Sequence, residues 1–172
     1  MRNSFAGIAG VLICVLILCL PAKAQVSAQD SAQLTPLDAS GLRTELDELA
    51  GRVILVNFWA TWCRPCLKEI PTLMQLETEL QDQGFSLVAV SLDESDNDDA
   101  YIKQFMEKRF PGFSSYRSLE PYKDSMVSVI DPAWNEILPT TYLLSRDGSV
   151  AKRIQGALSH EQFAQEIVKL LE

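Results

Sequence analysis

Histidine is nearly missing from this chain, and cysteine is scarce. Among 172 residues there is one histidine, His160, and four cysteines, of which Cys14 and Cys19 lie inside an apolar N-terminal run. A structural zinc site takes four ligands, usually Cys or His, and Cys63, Cys66 and His160 do not make up that set. Positive charge is short as well, with 15 Lys and Arg against 23 Asp and Glu and a formal net charge of −8. That balance disfavours nucleic acid and anionic membrane surfaces as partners. No internal repeat is present. No apolar run reaches the ~20 residues that cross a bilayer; the longest, Phe5 to Leu20, stops short of it.

That run has the layout of a secretory leader. Arg2 precedes it, and Ala22-Lys23-Ala24 fits the small-x-small cleavage pattern before Gln25. Residues 1–24 are therefore expected to be a signal peptide, and the chain to be exported to the periplasm or another extracytoplasmic space, soluble after cleavage. A retained N-terminal anchor is the alternative. Lipidation at Cys19 is disfavoured by the bulky Leu18 before it. Without Arg2 and Lys23, 13 basic side chains face 23 acidic ones, a formal charge of −10. The overall 47% hydrophobic and 22% charged content suits one globular domain.

Residues 25–36 are polar and aperiodic and read as a linker, leaving 37–172 for the domain. Leu42, Leu46 and Leu49 fall at helical or turn spacing before Gly51. Val53 to Trp59 is apolar on both faces and β-rich, which predicts a central, parallel strand. A helix follows to about Gln83. Cys66, Ile70, Leu73, Leu76 and Leu80 form its apolar arc, opposite Lys68, Thr72, Gln75, Glu79 and Asp82. Phe85 to Leu92 predicts a second central strand, and about Asp99 to Lys108 a helix. The stretch from Phe110 to Ile137 reads as loops around a short helix near Tyr122 to Ile130. Thr140–Leu144 and Val150–Gln155 read as strands joined at Ser145 to Gly148, and Ser159 as the cap of a last helix ending near Leu171. The sum is a mixed α/β sandwich, a central sheet flanked by helices.

The chemistry-bearing residues sit where the first central strand becomes a helix. Cys63 and Cys66 are separated by two residues, too short a loop to stabilise a fold by restricting the unfolded chain, but well suited to opening and closing as a redox pair. The attacking species in thiol-disulfide exchange is a thiolate. Cys63, at the helix start, has free backbone amides beside it and Arg64 next to it; both favour the thiolate. Pro65 suits the first turn, where its missing N–H is no loss. Cys63 is expected exposed as the attacking sulfur, and Cys66, one turn on and facing the apolar side, buried as the resolving one.

The run Phe58-Trp59-Ala60-Thr61-Trp62-Cys63-Arg64-Pro65-Cys66 resembles the active-site segment of thioredoxin-like proteins, and the resemblance extends from about Leu37 to Leu171. Pro71 matches the family's helix-kinking proline, Leu138-Pro139-Thr140-Thr141 its cis-proline loop, and Gly156-Ala157-Leu158-Ser159 the turn into its final helix. Asn57 stands where cytoplasmic thioredoxins bury an aspartate. That departure, Glu69 three residues after Cys66, and an insert between Leu92 and Pro139 are similar to the TlpA-like and ResA-like exported reductases.

The resemblance implies a thioredoxin-like sandwich with the insert before the cis-proline loop, and no bound cofactor or metal. Its implied work is reduction of disulfides or cysteine pairs in exported client proteins, such as cytochrome or copper-site precursors, with electrons from a membrane-bound donor. It makes Pro139 a cis-proline opposite Cys63, with the backbone of Leu138 pairing to a client strand. Glu69 lies on the buried arc and is expected to take the proton of Cys66, although Glu77 shares that arc. Trp62 is expected as a flat, exposed client surface, and Trp134 either widens it or joins the core. A general oxidant and a cuprous-ion chaperone are the competing functions. A peroxiredoxin reading fails at Ala60, where Thr or Ser is needed. The acidic run Asp93, Glu94, Asp96, Asp98 and Asp99 lacks the glycine and distal glutamate of a calcium loop, so helix capping is expected of it.

Overall fold

The computed structural model describes residues 31–94 and 99–172. The expected leader, residues 1–24, lies outside the described residues, as does the first half of the expected linker, residues 25–30. Among the described residues, no helix is long and apolar enough to cross a membrane.

The elements run β1 (Gln33–Leu37), α1 (Ala39–Glu48), β2 (Val53–Trp59), α2 (Arg64–Leu80), β3 (Phe85–Ser91), α3 (Asp99–Arg109), β4 (Ser114–Ser118), α4 (Lys123–Val127), β5 (Thr140–Leu144), β6 (Val150–Gln155) and α5 (His160–Leu171). They build one six-stranded sheet in the order β1-β4-β3-β2-β5-β6. The pairs β1–β4, β4–β3 and β3–β2 are parallel, whereas β2–β5 and β5–β6 are antiparallel. This is the mixed sandwich expected, with two strands more than the sequence patterns suggest.

The two extra strands correct the reading of the linker and of the insert. Residues 33–36, assigned to a linker, form most of β1, and Ala32 before them is buried. β4 falls inside the stretch from Phe110 to Ile137 that reads as loops around a helix. Both strands are short and poor in apolar alternation. In β1, Pro36 has no N–H to donate, a residue tolerated only at a sheet edge, which is where β1 lies. In β4 the inward positions include Ser115, whose hydroxyl bonds to Ala89 O at 3.1 Å and accepts from Trp59 Nε1 at 2.9 Å.

All seven residues of β2 are buried, and period-two alternation sorts them onto two faces. Ile54, Val56 and Phe58 pack with Leu42 of α1 and with Met126 and Val127 of α4. Val53 and Leu55 pack with Leu73, Leu76 and Leu80 of α2 and with Phe163 and Ile167 of α5. Trp59 joins Cys63, Cys66, Ile70, Ile102 and Met106. Each such aliphatic or aromatic side chain contributes roughly 1.5–3 kcal/mol on full burial.

Local signals end the elements as expected. Gly84, at φ 91°, takes the left-handed turn after α2 that a side chain resists. The β5–β6 hairpin closes through Gly148 N–H to Ser145 O at 2.8 Å. Ser159 caps α5 in a reciprocal box with Gln162, the serine N–H donating to Gln162 Oε1 at 2.9 Å.

Candidate active site

β2 delivers Trp59 to the edge of the core, and a tight turn follows. Cys63 N–H donates to Ala60 O at 3.0 Å, so Thr61 and Trp62 are the two central residues of that turn. Cys63 then caps α2 with extended backbone, φ −85° and ψ 93°, and its Sγ accepts the N–H of Cys66 at 3.3 Å. Pro65 occupies the first helical turn. Pro71 lies inside α2, which runs through it as one helix.

Cys63 and Cys66 form a disulfide with Cα atoms 5.3 Å apart. Cys63 keeps 5% of its surface and Cys66 none. The order of exposure is the expected one, but Cys63 is far less open than expected, packed in one apolar cluster with Trp59, Ala60 and Cys66. As N-cap of α2, Cys63 lies beside the helix-start amides and the positive end of the dipole, which favour a thiolate there once the disulfide is open.

Glu69 is 1% exposed, on the face of α2 that carries Cys66 and Ile70. Asn57 shares the β2 face of Val53 and Leu55, so its amide turns toward α2. Its Nδ2 donates to Glu69 Oε1 at 2.8 Å and to Thr141 Oγ1 of β5 at 2.9 Å. Among the described residues, Glu69 Oε2 and Asn57 Oδ1 have no hydrogen-bond partner. Burial pushes the Glu69 carboxyl up to about 7, against the opposing pull of the Asn57 bond. A carboxyl with that value, buried beside apolar neighbours, can exchange a proton near neutrality. Glu77, the other carboxylate of that arc, is only partly buried; its acidity is weakened by burial and partly restored by a bond from the Leu87 backbone. It faces β3 and stands apart from the cysteines.

The Leu138–Pro139 bond is cis, as the resemblance implies. Pro139 is buried, and Leu138 packs against the apolar cluster that holds both cysteines. Trp134 is half-buried and spends its indole N–H on Thr140 Oγ1 at 3.1 Å, while packing on the α1–α4 face. Of the two roles open to it, its contacts fit support of the proline loop and the core rather than a client surface. Trp62 is 57% exposed, with Lys123 Nζ 5.2 Å from its ring centre. Lys123 also pairs with Glu94 at 2.8 Å. Tyr122 and Ile137 add exposed apolar surface beside Lys123 and Leu138.

Sequence reasoning gives no role to Thr141, Thr61, Ser91 or Lys123, and notes Asn57 only as a departure. Period-two spacing from Val53 is the available signal for Asn57; the others depend on contacts between strands. Asp93, assigned to helix capping, instead turns inward to Thr61 and Ser91. Asp99 does lie in the first turn of α3 and pairs with Arg117, whereas Asp96 and Asp98 lie outside the described residues. His160 makes a surface pair with Glu79 at 2.8 Å, remote from the cysteines in the fold.

A family profile described as Redoxin matches residues 23–168. Thiol-disulfide oxidoreductase ResA of Bacillus subtilis is 31% identical over 159 residues, covering 89% of this chain and 84% of its own. ResA of Bacillus thuringiensis subsp. konkukian is 30% identical over 134 residues, covering 77% and 72%. Among solved structures, a Chlorobium tepidum chain assigned as thiol:disulfide interchange protein DsbE superposes with a TM-score of 0.62 at 26% identity, covering 74% of this chain and 85% of that one. These likenesses span the strand, helix and proline loop that converge on the cysteine pair, and the chain belongs to the Redoxin family as a thiol-disulfide oxidoreductase of ResA type.

Proposed function

We propose that this protein works as a disulfide reductase outside the cytoplasm, acting on cysteine-containing client proteins such as cytochrome or copper-site precursors and drawing electrons from a membrane-bound donor. The observation that carries the reading is the buried Glu69 carboxyl, held by Asn57 on the helix face of the resolving cysteine and titrating near neutrality.

The cycle begins from the dithiol. Cys63 thiolate attacks a client disulfide; one client sulfur leaves as thiolate and the other is bound to Cys63 Sγ. Glu69 takes the proton of Cys66, whose sulfur then attacks Cys63 Sγ. The Cys63–Cys66 bond forms, the second client sulfur leaves, and the client has gained two electrons and two protons. The donor then restores the dithiol. Leu138 offers backbone for a client strand to pair with, beside Pro139, whose carbonyl is taken by Gly156 N–H at 3.0 Å, and Trp62 a flat ring for it to lie on. Burial of Cys66 keeps it from outside disulfides and leaves it only the adjacent sulfur.

Trapping tests the scheme. Cys66→Ser should accumulate as a mixed disulfide between Cys63 and its client, visible on non-reducing gels and identifiable by mass spectrometry; Cys63→Ser should trap little. Adducts confined to a few cytochrome or copper-site precursors support a dedicated reductase. Equal trapping by both variants would overturn the assigned roles, and a broad ladder of secreted proteins would make the protein a general oxidant.

A further inference from the structure

The segment from Asp131 to Pro139 carries Leu138 to the apolar cluster of the two cysteines, and the β5–β6 hairpin holds that segment along its length. At its start, the Asp131 carboxylate accepts Tyr142 Oη–H at 2.8 Å and Ala133 N–H at 2.9 Å, and pairs with Arg153 Nη1 at 3.0 Å. In its middle, Asn135 Oδ1 accepts from Arg153 Nη2 at 2.7 Å and from Gln155 Nε2, while Asn135 Nδ2 reaches Gln155 Oε1 at 3.4 Å. At its end, Ile137 O accepts Thr140 Oγ1–H, and Pro139 O accepts Gly156 N–H at 3.0 Å. Tyr142 and Arg153 stand opposite each other in the hairpin, as do Thr140 and Gln155, so these four side chains share one face of the sheet.

Between the fixed points lies Glu136, whose φ of 62° is the left-handed backbone that a side chain disfavours. Such a residue persists where its surroundings over-determine it. Here both neighbours are held, Asn135 through its amide and Ile137 through its carbonyl. Arg153 joins the start of the segment to its middle: Nη1 serves Asp131 and Nη2 serves Asn135, while Nε has no hydrogen-bond partner among the described residues. The carbonyls of Ile137 and Pro139 are both taken, whereas among the described residues no hydrogen bond takes up the backbone of Leu138 between them.

We infer that Arg153 and Asn135 are positioning residues for client binding, whose contact fixes the turn through Glu136 and with it the place at which Leu138 presents its backbone beside the cysteines. Neither takes part in sulfur exchange. Their effect is to order the loop before a client arrives, which lowers the entropic cost of binding. The clients favoured in this way are extended polypeptides, whose main chain pairs with Leu138; a disulfide without peptide groups is indifferent to it. This inference rests on the reductase reading, and it gives the edge strand β6 a part in client selection that the exchange cycle leaves unassigned.

The experiment mixes pre-reduced wild type, Asn135→Ala, Asn135→Asp and Arg153→Met with an excess of one of two disulfides. One is a self-quenched dimer of a short extended peptide joined through its cysteines; the other is dithiobis(nitrobenzoate), which has no peptide group. Asn135→Ala and Arg153→Met should raise the peptide concentration at half-maximal rate about tenfold with the maximal rate unchanged, and should react with dithiobis(nitrobenzoate) at the wild-type rate. Asn135→Asp keeps acceptor oxygens for Arg153 and Gln155 and should keep both wild-type values. Asn135 is exposed, so its replacement should leave the urea-unfolding midpoint unchanged; should Arg153→Met unfold early, Asn135→Ala alone decides. Wild-type behaviour of Asn135→Ala toward the peptide, an equal slowing toward both disulfides, or a loss in Asn135→Asp as large as in Asn135→Ala overturns the inference. A wild-type chain that reduces neither disulfide is a separate failure, that of the reductase reading itself.

Discussion

Asn57 Nδ2 lies 2.8 Å from Glu69 Oε1, so a buried amide-to-carboxyl bond ties the central strand to the helix that carries both cysteines. The same nitrogen reaches Thr141 at 2.9 Å, adding the strand that follows the proline loop. Three segments that must stay in register during sulfur exchange thus share one polar node, and its members can be tested separately.

The stability consequence of Glu69 has a definite sign. Its folded value, pushed up to about 7, exceeds the ~4.3 of an unfolded Glu. The folded chain therefore keeps a proton that the unfolded chain sheds between those values, and stability from this group is full below about pH 4.3 and is lost as pH rises through about 7. Glu69→Gln should gain on wild type by up to roughly 3 kcal/mol between pH 5 and 8. Urea unfolding across that range measures it, and parallel curves for the two proteins would contradict a buried carboxyl.

Kinetically, the same substitution should slow resolution of a preformed Cys63 mixed disulfide by about 10²-fold at neutral pH, the usual worth of a placed base. It should also erase an inflection near pH 7 while leaving the first attack by Cys63 unchanged. Stopped-flow release of a labelled peptide thiol separates the two steps. Loss in the first step alone would assign Glu69 to Cys63 instead.

Trp59 belongs to the apolar cluster that holds both cysteines, and Trp62 lies beside Cys63 in the chain. Opening the disulfide should change tryptophan emission in a single two-electron transition against dithiothreitol or glutathione. The midpoint expected for a reductase is well below the ~−120 mV of a strong periplasmic oxidant. A midpoint at or above that value removes the reductase direction.

Trp134→Phe removes the indole bond to Thr140 and keeps most of the apolar packing. The expected cost is about 1 kcal/mol in unfolding free energy, with little change in client affinity. Weakened client binding at unchanged stability would return Trp134 to the client surface.

What the chain announces and what it hides divide along a physical line. The cysteine spacing, the all-apolar β2 run, the arc from Cys66 to Leu80 and the Ser159 cap are patterns within one segment, and each is met in the fold. Glu69 is legible because helical period alone places it beside Ile70 and Leu73. β1 and β4 are not, because neither carries an apolar alternation and their pairing is visible only once Gln33 meets Ser114 across the sheet. Asp93 misleads for a similar reason: in a run of acids it reads as a helix cap, and only the closing of β2 against β3 brings Thr61 to it. Lys123 over Trp62 joins residues some sixty positions apart, which no periodicity reports.

Trp59 donates its indole N–H to Ser115 at 2.9 Å, and this bond changes how the segment between α3 and the proline loop should be regarded by anyone reshaping the protein. It is not an ornament that can be shaved off to recover a smaller scaffold. Cutting β4 away would strand a buried donor beside the sulfurs and open the floor under them, so a transplant of the cysteine motif into a trimmed domain should carry Ser115 with it, or replace Trp59 with a ring that has nothing to donate.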